Sequence, residues 1–255
     1  VSTPPAPDLR RRLFAELVGT AMLVVVVVGS GIAAQRLSPG DTGLQLLENS
    51  TATAFGLTTL ILLFGPVSGA HFNPVVSMAD WVLGRRTGHG LTLREVGAYV
   101  AAQVVGGVVG AVLANVMFEV GTSVSTKSRA STGTLVAEVV ATTFLVALVF
   151  ALARSGRGAV AAPAVGAYIG AAYWFTSSTS FANPAVTVGR IFSDTFAGIA
   201  PGSAAAFIAM QAVGLAAGVG VTLVLQPDAS TRADDVVLPH ASTSRTDYID
   251  LEGQP

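Results

Sequence analysis

The 255-residue chain contains no cysteine, which removes disulfides and thiolate-held metals. Charge is scarce as well: Asp, Glu, Lys and Arg make up 11% of the residues, against about 25% in an ordinary soluble domain. The net charge is −1, so no basic surface for nucleic acid is implied. The three histidines, His71, His89 and His240, lie far apart, and no His-Glu-x-x-His spacing occurs. With no nucleophile–base pair in view either, neither an enzyme nor a bound cofactor or metal is expected. What the chain does have is apolar: 51% hydrophobic residues and a mean hydropathy of +0.65. Little charge and much hydrocarbon is the composition of a chain that crosses a bilayer repeatedly.

Residues 1–10 read as a polar, Pro-rich, disordered tail. Arg10, Arg11 and Arg12 precede an apolar run too long for a signal peptide and without a convincing cleavage site, so it reads as an uncleaved first span. Stretches that can cross fall at 13–34, 50–67, 95–118, 132–153, 159–177 and 202–225, with polar loops at 35–49 and 119–131. The run Val24–Val28 favours strand in water. In hydrocarbon a lone strand would leave its backbone groups unpaired, so helix is expected. Arginines gather in the N-terminal tail, after residue 84 and in the turn Arg154–Gly158. The positive-inside rule then puts both termini in the cytoplasm of a cell (inner) membrane. Residues 226–255 read as a second disordered tail.

Two motifs interrupt the spans. One is Ser68-Gly69-Ala70-His71-Phe72-Asn73-Pro74-Val75, the other Ser180-Phe181-Ala182-Asn183-Pro184-Ala185. Asparagine is a good N-cap and proline suits the first helical position, so each motif starts a helix, here one too short to cross. An internal repeat frames them. Ala15-Glu16-Leu17-Val18-Gly19-Thr20 returns as Ala137-Glu138-Val139-Val140-Ala141-Thr142, and Gln103-Val104-Val105-Gly106 as Gln211-Ala212-Val213-Gly214. Each half, 11–118 and 132–225, holds three spans, an odd number, so the halves are inverted. Inverted repeats with broken helices place a functional site near the midplane. Glycines at 106, 107, 110, 214, 218 and 220 are expected to allow close helix approach.

With six spans, two half-helices and paired Asn-Pro motifs, residues 11–225 resemble the aquaporin, or major intrinsic protein, family. The resemblance implies an all-α membrane channel domain: six transmembrane helices plus two re-entrant half-helices in a right-handed bundle, assembled as a homotetramer with a pore in each protomer. It implies that Asn73-Pro74-Val75 and Asn183-Pro184-Ala185 meet at the pore centre, and that the half-helix N-termini oppose cations there. A charge inside a span costs about 2.5–3.5 kcal/mol. By resemblance, Glu16 and Glu138 repay that by accepting hydrogen bonds from the re-entrant loops, with Gln103 and Gln211 as further buried polar contacts. His71 is expected to line the cytoplasmic side of the pore.

The chain also departs from the family pattern. Val75 stands where alanine is usual, and Val186 where most relatives carry an arginine that narrows the outer constriction. By the family spacing, the other constriction positions fall on Thr53, Ser180, and Ala171 or Gly170. All are small and uncharged, which implies a wide filter lacking arginine. The combination resembles a bacterial branch associated with arsenic resistance, so the implied solutes are metalloid hydroxides such as arsenite and glycerol-like molecules, with some water. A mainly water-conducting channel and, from a different class, a secondary transporter built on inverted repeats are the alternatives, with a non-conducting junction role behind them. Arg190 lies four residues past Val186, on nearly the same helical face, and is expected to return positive potential to the outer vestibule.

Overall fold

The computed structural model describes residues 7–85 and 90–226. Most of the two expected tails lies outside the described residues, as do Arg86, His89 and His240. Among those described, all regular structure is helical. Six helical segments are long and apolar enough to cross a membrane. They are α1 (Leu9–Leu37), α2 (Thr42–Ser68), α4 (Leu93–Met117), α5 (Thr132–Arg154), α6 (Ala161–Phe175) with the 3-10 turn Gly158–Val160 before it, and α8 (Pro201–Leu225). The two short helices are α3 (Pro74–Gly84) and α7 (Pro184–Gly189).

The helices begin where side chains can satisfy their first N–H groups. Asp8 and Asp41 cap α1 and α2, while Thr92 with Glu95 and Ser131 with Thr134 form reciprocal boxes at α4 and α5. α2 starts well before the span expected from residue 50. Its polar first turns are absorbed by α1 and its loop: Gln45 donates to the Ser38 carbonyl, Ser38 to Glu48, and Asn49 to the Val27 carbonyl. Hydropathy saw those side chains as loop because it cannot see that they are paired.

The bundle is drawn together by glycine. A Cβ at Gly106 or Gly110 would lie 2.4 Å or 2.2 Å from the carbonyl oxygens of Leu17 and Ala21 on α1. At Gly214 or Gly218 it would lie 2.8 Å or 2.7 Å from those of Val139 and Thr143 on α5. So α4 rides on α1 as α8 rides on α5, backbone on backbone. Gly220, by contrast, faces open space and packs nothing. Phe55, Leu62, Leu63, Val105 and Phe144 point outward, as a bilayer requires.

Gly107 and Gly189 do the same where α4 crosses α7: a Cβ on Gly107 would sit 2.6 Å from the Ala185 oxygen, and one on Gly189 would sit 2.4 Å from the Gly107 oxygen. Gly107→Ala is therefore expected to push α7 away from α4 and destabilise the protein by about 1–3 kcal/mol. A lowered thermal midpoint in detergent checks this, and an unchanged one refutes the contact's importance.

Candidate pore and its constriction

α3 follows two spans and α7 follows five, so the half-helices enter from opposite faces. Their tips meet. Asn73 Nδ2 donates to the Ala182 carbonyl and Asn183 Nδ2 to the Phe72 carbonyl, each at 2.8 Å. Each asparagine oxygen caps its own helix: Asn73 Oδ1 accepts from Val75, and Asn183 Oδ1 from Ala185 and Val186. One N–H of each amide is thus tied to the opposite loop, while both side chains line the same internal passage.

The loops leading to these tips are strained alike. Ala70 and Phe72 have φ of 48° and 50°, and Ser180 and Ala182 have 50° and 44°. Such non-glycine conformations cost on the order of 1–3 kcal/mol each and persist only where the surroundings fix them. The two buried glutamates do that. Glu16 accepts from the N–H groups of His71 and Phe72, the Ser68 hydroxyl and Gln103 Nε2. Glu138 accepts from the N–H groups of Phe181 and Ala182 and from Gln211 Nε2. Gln103 also donates to Ser77 and Gln211 to Thr187, one turn into each half-helix.

The passage encloses about 70 Å³. A water needs roughly 10–15 Å³ on that measure, so the space suits a short file of waters or one small solute. Its wall is built of four-residue steps on two helices: Thr53, Leu57 and Ile61 of α2, and Ala161, Val165, Ile169 and Tyr173 of α6. Leu23 and Val27 of α1 and Leu145 and Val149 of α5 extend the apolar side. His71 lines the passage, its Nδ1 3.0 Å from the Ser77 hydroxyl and its ring against Tyr99.

The fifth-span position expected at Gly170 or Ala171 needs correction. Gly170 turns toward Ala54 of α2, and Ala171 is exposed on the outer surface. The residue of α6 that reaches the lumen beside Thr53 is Tyr173, whose hydroxyl lies 3.1 Å from Thr53 Oγ1. The link from α6 to Asn183 is shorter than the family spacing assumes, so counting back overshoots. Thr53, Ser180 and Val186 do line the passage, and the buried Ser180 hydroxyl has no protein partner among the described residues. The ring is therefore neither uniformly small nor free of charge nearby, because Arg190 lines the same passage. The four-residue ladder on α6 was the available signal for Tyr173.

A second feature escaped the sequence. The polar loop after α4 folds over α7: Ser125 donates to the Ile191 carbonyl, and Ala200 to that of Lys127. It delivers Arg129, which donates to the carbonyls of Gly198 and Phe196. Burial pushes the Arg129 guanidinium down to about 10. Lys127 is lowered too, first by burial and then by the charges of Arg129 and Arg190. Asp194 is held below the usual carboxylate range, first by the Thr126 backbone N–H.

The Major intrinsic protein family model matches residues 5–179. The Aquaglyceroporin AqpS of Rhizobium meliloti is 45% identical over 208 residues, 81% of this chain and 86% of that protein. A Glycerol uptake facilitator protein of Pseudomonas aeruginosa is 36% identical over 102 residues, 38% of this chain and 36% of that one. Among solved structures, the aquaglyceroporin from Plasmodium falciparum superposes with a TM-score of 0.60 at 21% identity, over 88% of this chain and all of that one, a likeness of fold. Six apolar helices, two half-helices meeting tip to tip and a match along most of the sequence lead to one assignment: this multi-pass membrane protein belongs to the major intrinsic protein family, whose aquaglyceroporins are channels and not enzymes.

Proposed function

We propose that the chain is a passive channel for small uncharged hydroxylated solutes: glycerol-like molecules, metalloid hydroxides such as arsenite, and water. The observation that carries this is the mixed lining of the lumen. Apolar rungs of α2 and α6 share its wall with the polar residues Thr53, His71, Asn73, Tyr173 and Asn183. A polyol presents the same two aspects, carbon on one side and hydroxyls on the other. The glycerol-related names of two relatives support the class, and the pairing of Val75 with Val186 supports the metalloid branch. In this reading Asn73 and Asn183 orient the solute at the waist, and Thr53, Tyr173, Ser180 and Val186 form the outer constriction. Both termini face the cytoplasm of a cell membrane, and the working unit is a homotetramer.

Purified protein in liposomes tests it by stopped-flow light scattering with glycerol, and by arsenite uptake. Glycerol permeability is expected to rise about tenfold over empty vesicles, linearly with gradient and indifferent to proton or sodium gradients. Saturable or ion-coupled flux would favour the transporter alternative, and water flux alone would reduce the reading to a water channel.

A further inference from the structure

We infer that Arg190 is the charged, specificity-determining residue of the outer constriction, supplied from one turn beyond the site that Val186 occupies, and that the ring of Phe181 is its platform. This deepens the channel reading above and rests on it.

Arg190 is 3% exposed, and no carboxylate contacts it among the described residues. Its guanidinium carbon lies 3.5 Å from the Phe181 ring centroid, a stacked geometry that suits arginine. Nε donates to the Ala197 carbonyl. The two Nη nitrogens donate to no protein acceptor among the described residues. They are also absent from the atoms sealed off without a partner, and Arg190 lines the passage, so they look into the lumen. A buried guanidinium without an acid partner is costly unless water or solute completes its hydrogen bonds. The passage supplies them. Val186, four residues earlier, lines the same passage, so a side chain as long as arginine reaches back over the small valine toward the ring.

Two further cations stand behind it. Arg129 lies over the same Phe181 ring, at 5.4 Å. Lys127 donates to the Phe196 carbonyl and sits over the Phe196 ring. These three cations are held by carbonyls and aromatic faces and form no ion pair with a carboxylate among the described residues, so Asp194 near Lys127 and Glu138 near Arg190 offset their field only in part. Tyr173, on the same wall, is pinned by Thr53, whereas the Ser180 hydroxyl is sealed from the lumen. The constriction therefore repels cations and offers a fork of donors to a neutral solute. The phenol and the guanidinium together narrow what Thr53, Ser180 and Val186 alone would leave open.

The full-length protein in liposomes tests this with Arg190→Gln, Arg190→Lys and, as a control, Arg157→Gln on the opposite-face turn. Arg190→Gln is expected to conduct glycerol and to raise methylammonium or sodium permeability about tenfold, while Arg190→Lys still excludes cations. An Arg190→Gln channel that conducts glycerol and excludes cations as the wild type does overturns the inference. Wild-type protein that conducts no glycerol sinks the channel reading instead. If Arg190→Gln does not assemble, the wild type decides: glyoxal, a small arginine reagent, is expected to modify Arg190 at a rate that concentrated glycerol slows, read by mass spectrometry. An Arg190 that stays unmodified in the folded protein overturns the assignment.

Discussion

Glu16→Leu is expected to abolish the assembled protein. The carboxylate takes four buried hydrogen bonds, from Ser68, His71, Phe72 and Gln103, and leucine takes none. Each buried donor left unpaired costs about 1–3 kcal/mol, so the sum is on the order of 4 kcal/mol or more. The strained residues Ala70 and Phe72 lose their restraint at the same time. Glu16→Gln should be much milder. With the new amide nitrogen in place of Oε1, the Ser68 hydroxyl can turn to accept from it, while the remaining oxygen still accepts from Phe72 and Gln103. Only the His71 N–H then lacks an acceptor, a loss of about 1–3 kcal/mol. Glu138→Leu removes three bonds rather than four and should fall just short of Glu16→Leu. The monodisperse fraction on size exclusion and the thermal midpoint in detergent check the series. A stable, conducting Glu16→Leu protein would mean that the carboxylates do not hold the loops.

Val186→Arg is expected to close the channel to glycerol and metalloid hydroxides, lowering their flux by about two orders of magnitude while water falls less. In a channel without another arginine this substitution would simply restore a narrow filter. Here the new guanidinium would enter a lumen of about 70 Å³ one turn from Arg190. Two like charges on one helical face repel, and neither finds a carboxylate. Stopped-flow measurement of both solutes against water checks this, and unchanged glycerol flux would remove Val186 from the constriction.

Much of the fold was legible because hydrocarbon leaves a chain few options. The spans, the capping at Asn73 and Asn183 and the pairing of Glu16 with Glu138 follow from residue types and their order. What was not legible depends on lateral placement. Whether Ala171 or Tyr173 faces the lumen is decided by how tightly the link after α6 is drawn, and counting cannot measure that. The first turns of α2 read as loop because Gln45 and Asn49 look polar until their partners on and after α1 are seen. Arg190 could be set on the right face by its spacing from Val186. Its Phe181 platform lies in the adjoining motif, but the stacking of the two depends on the turn of the re-entrant loop, and its Arg129 neighbour comes from a loop distant in sequence.

The crossed amide bonds at the waist, Asn73 to the Ala182 carbonyl and Asn183 to that of Phe72, form a pinned joint. Neither half can slide along the other without breaking both at once. Closing the middle of the conduit by sliding the two halves therefore costs both bonds together.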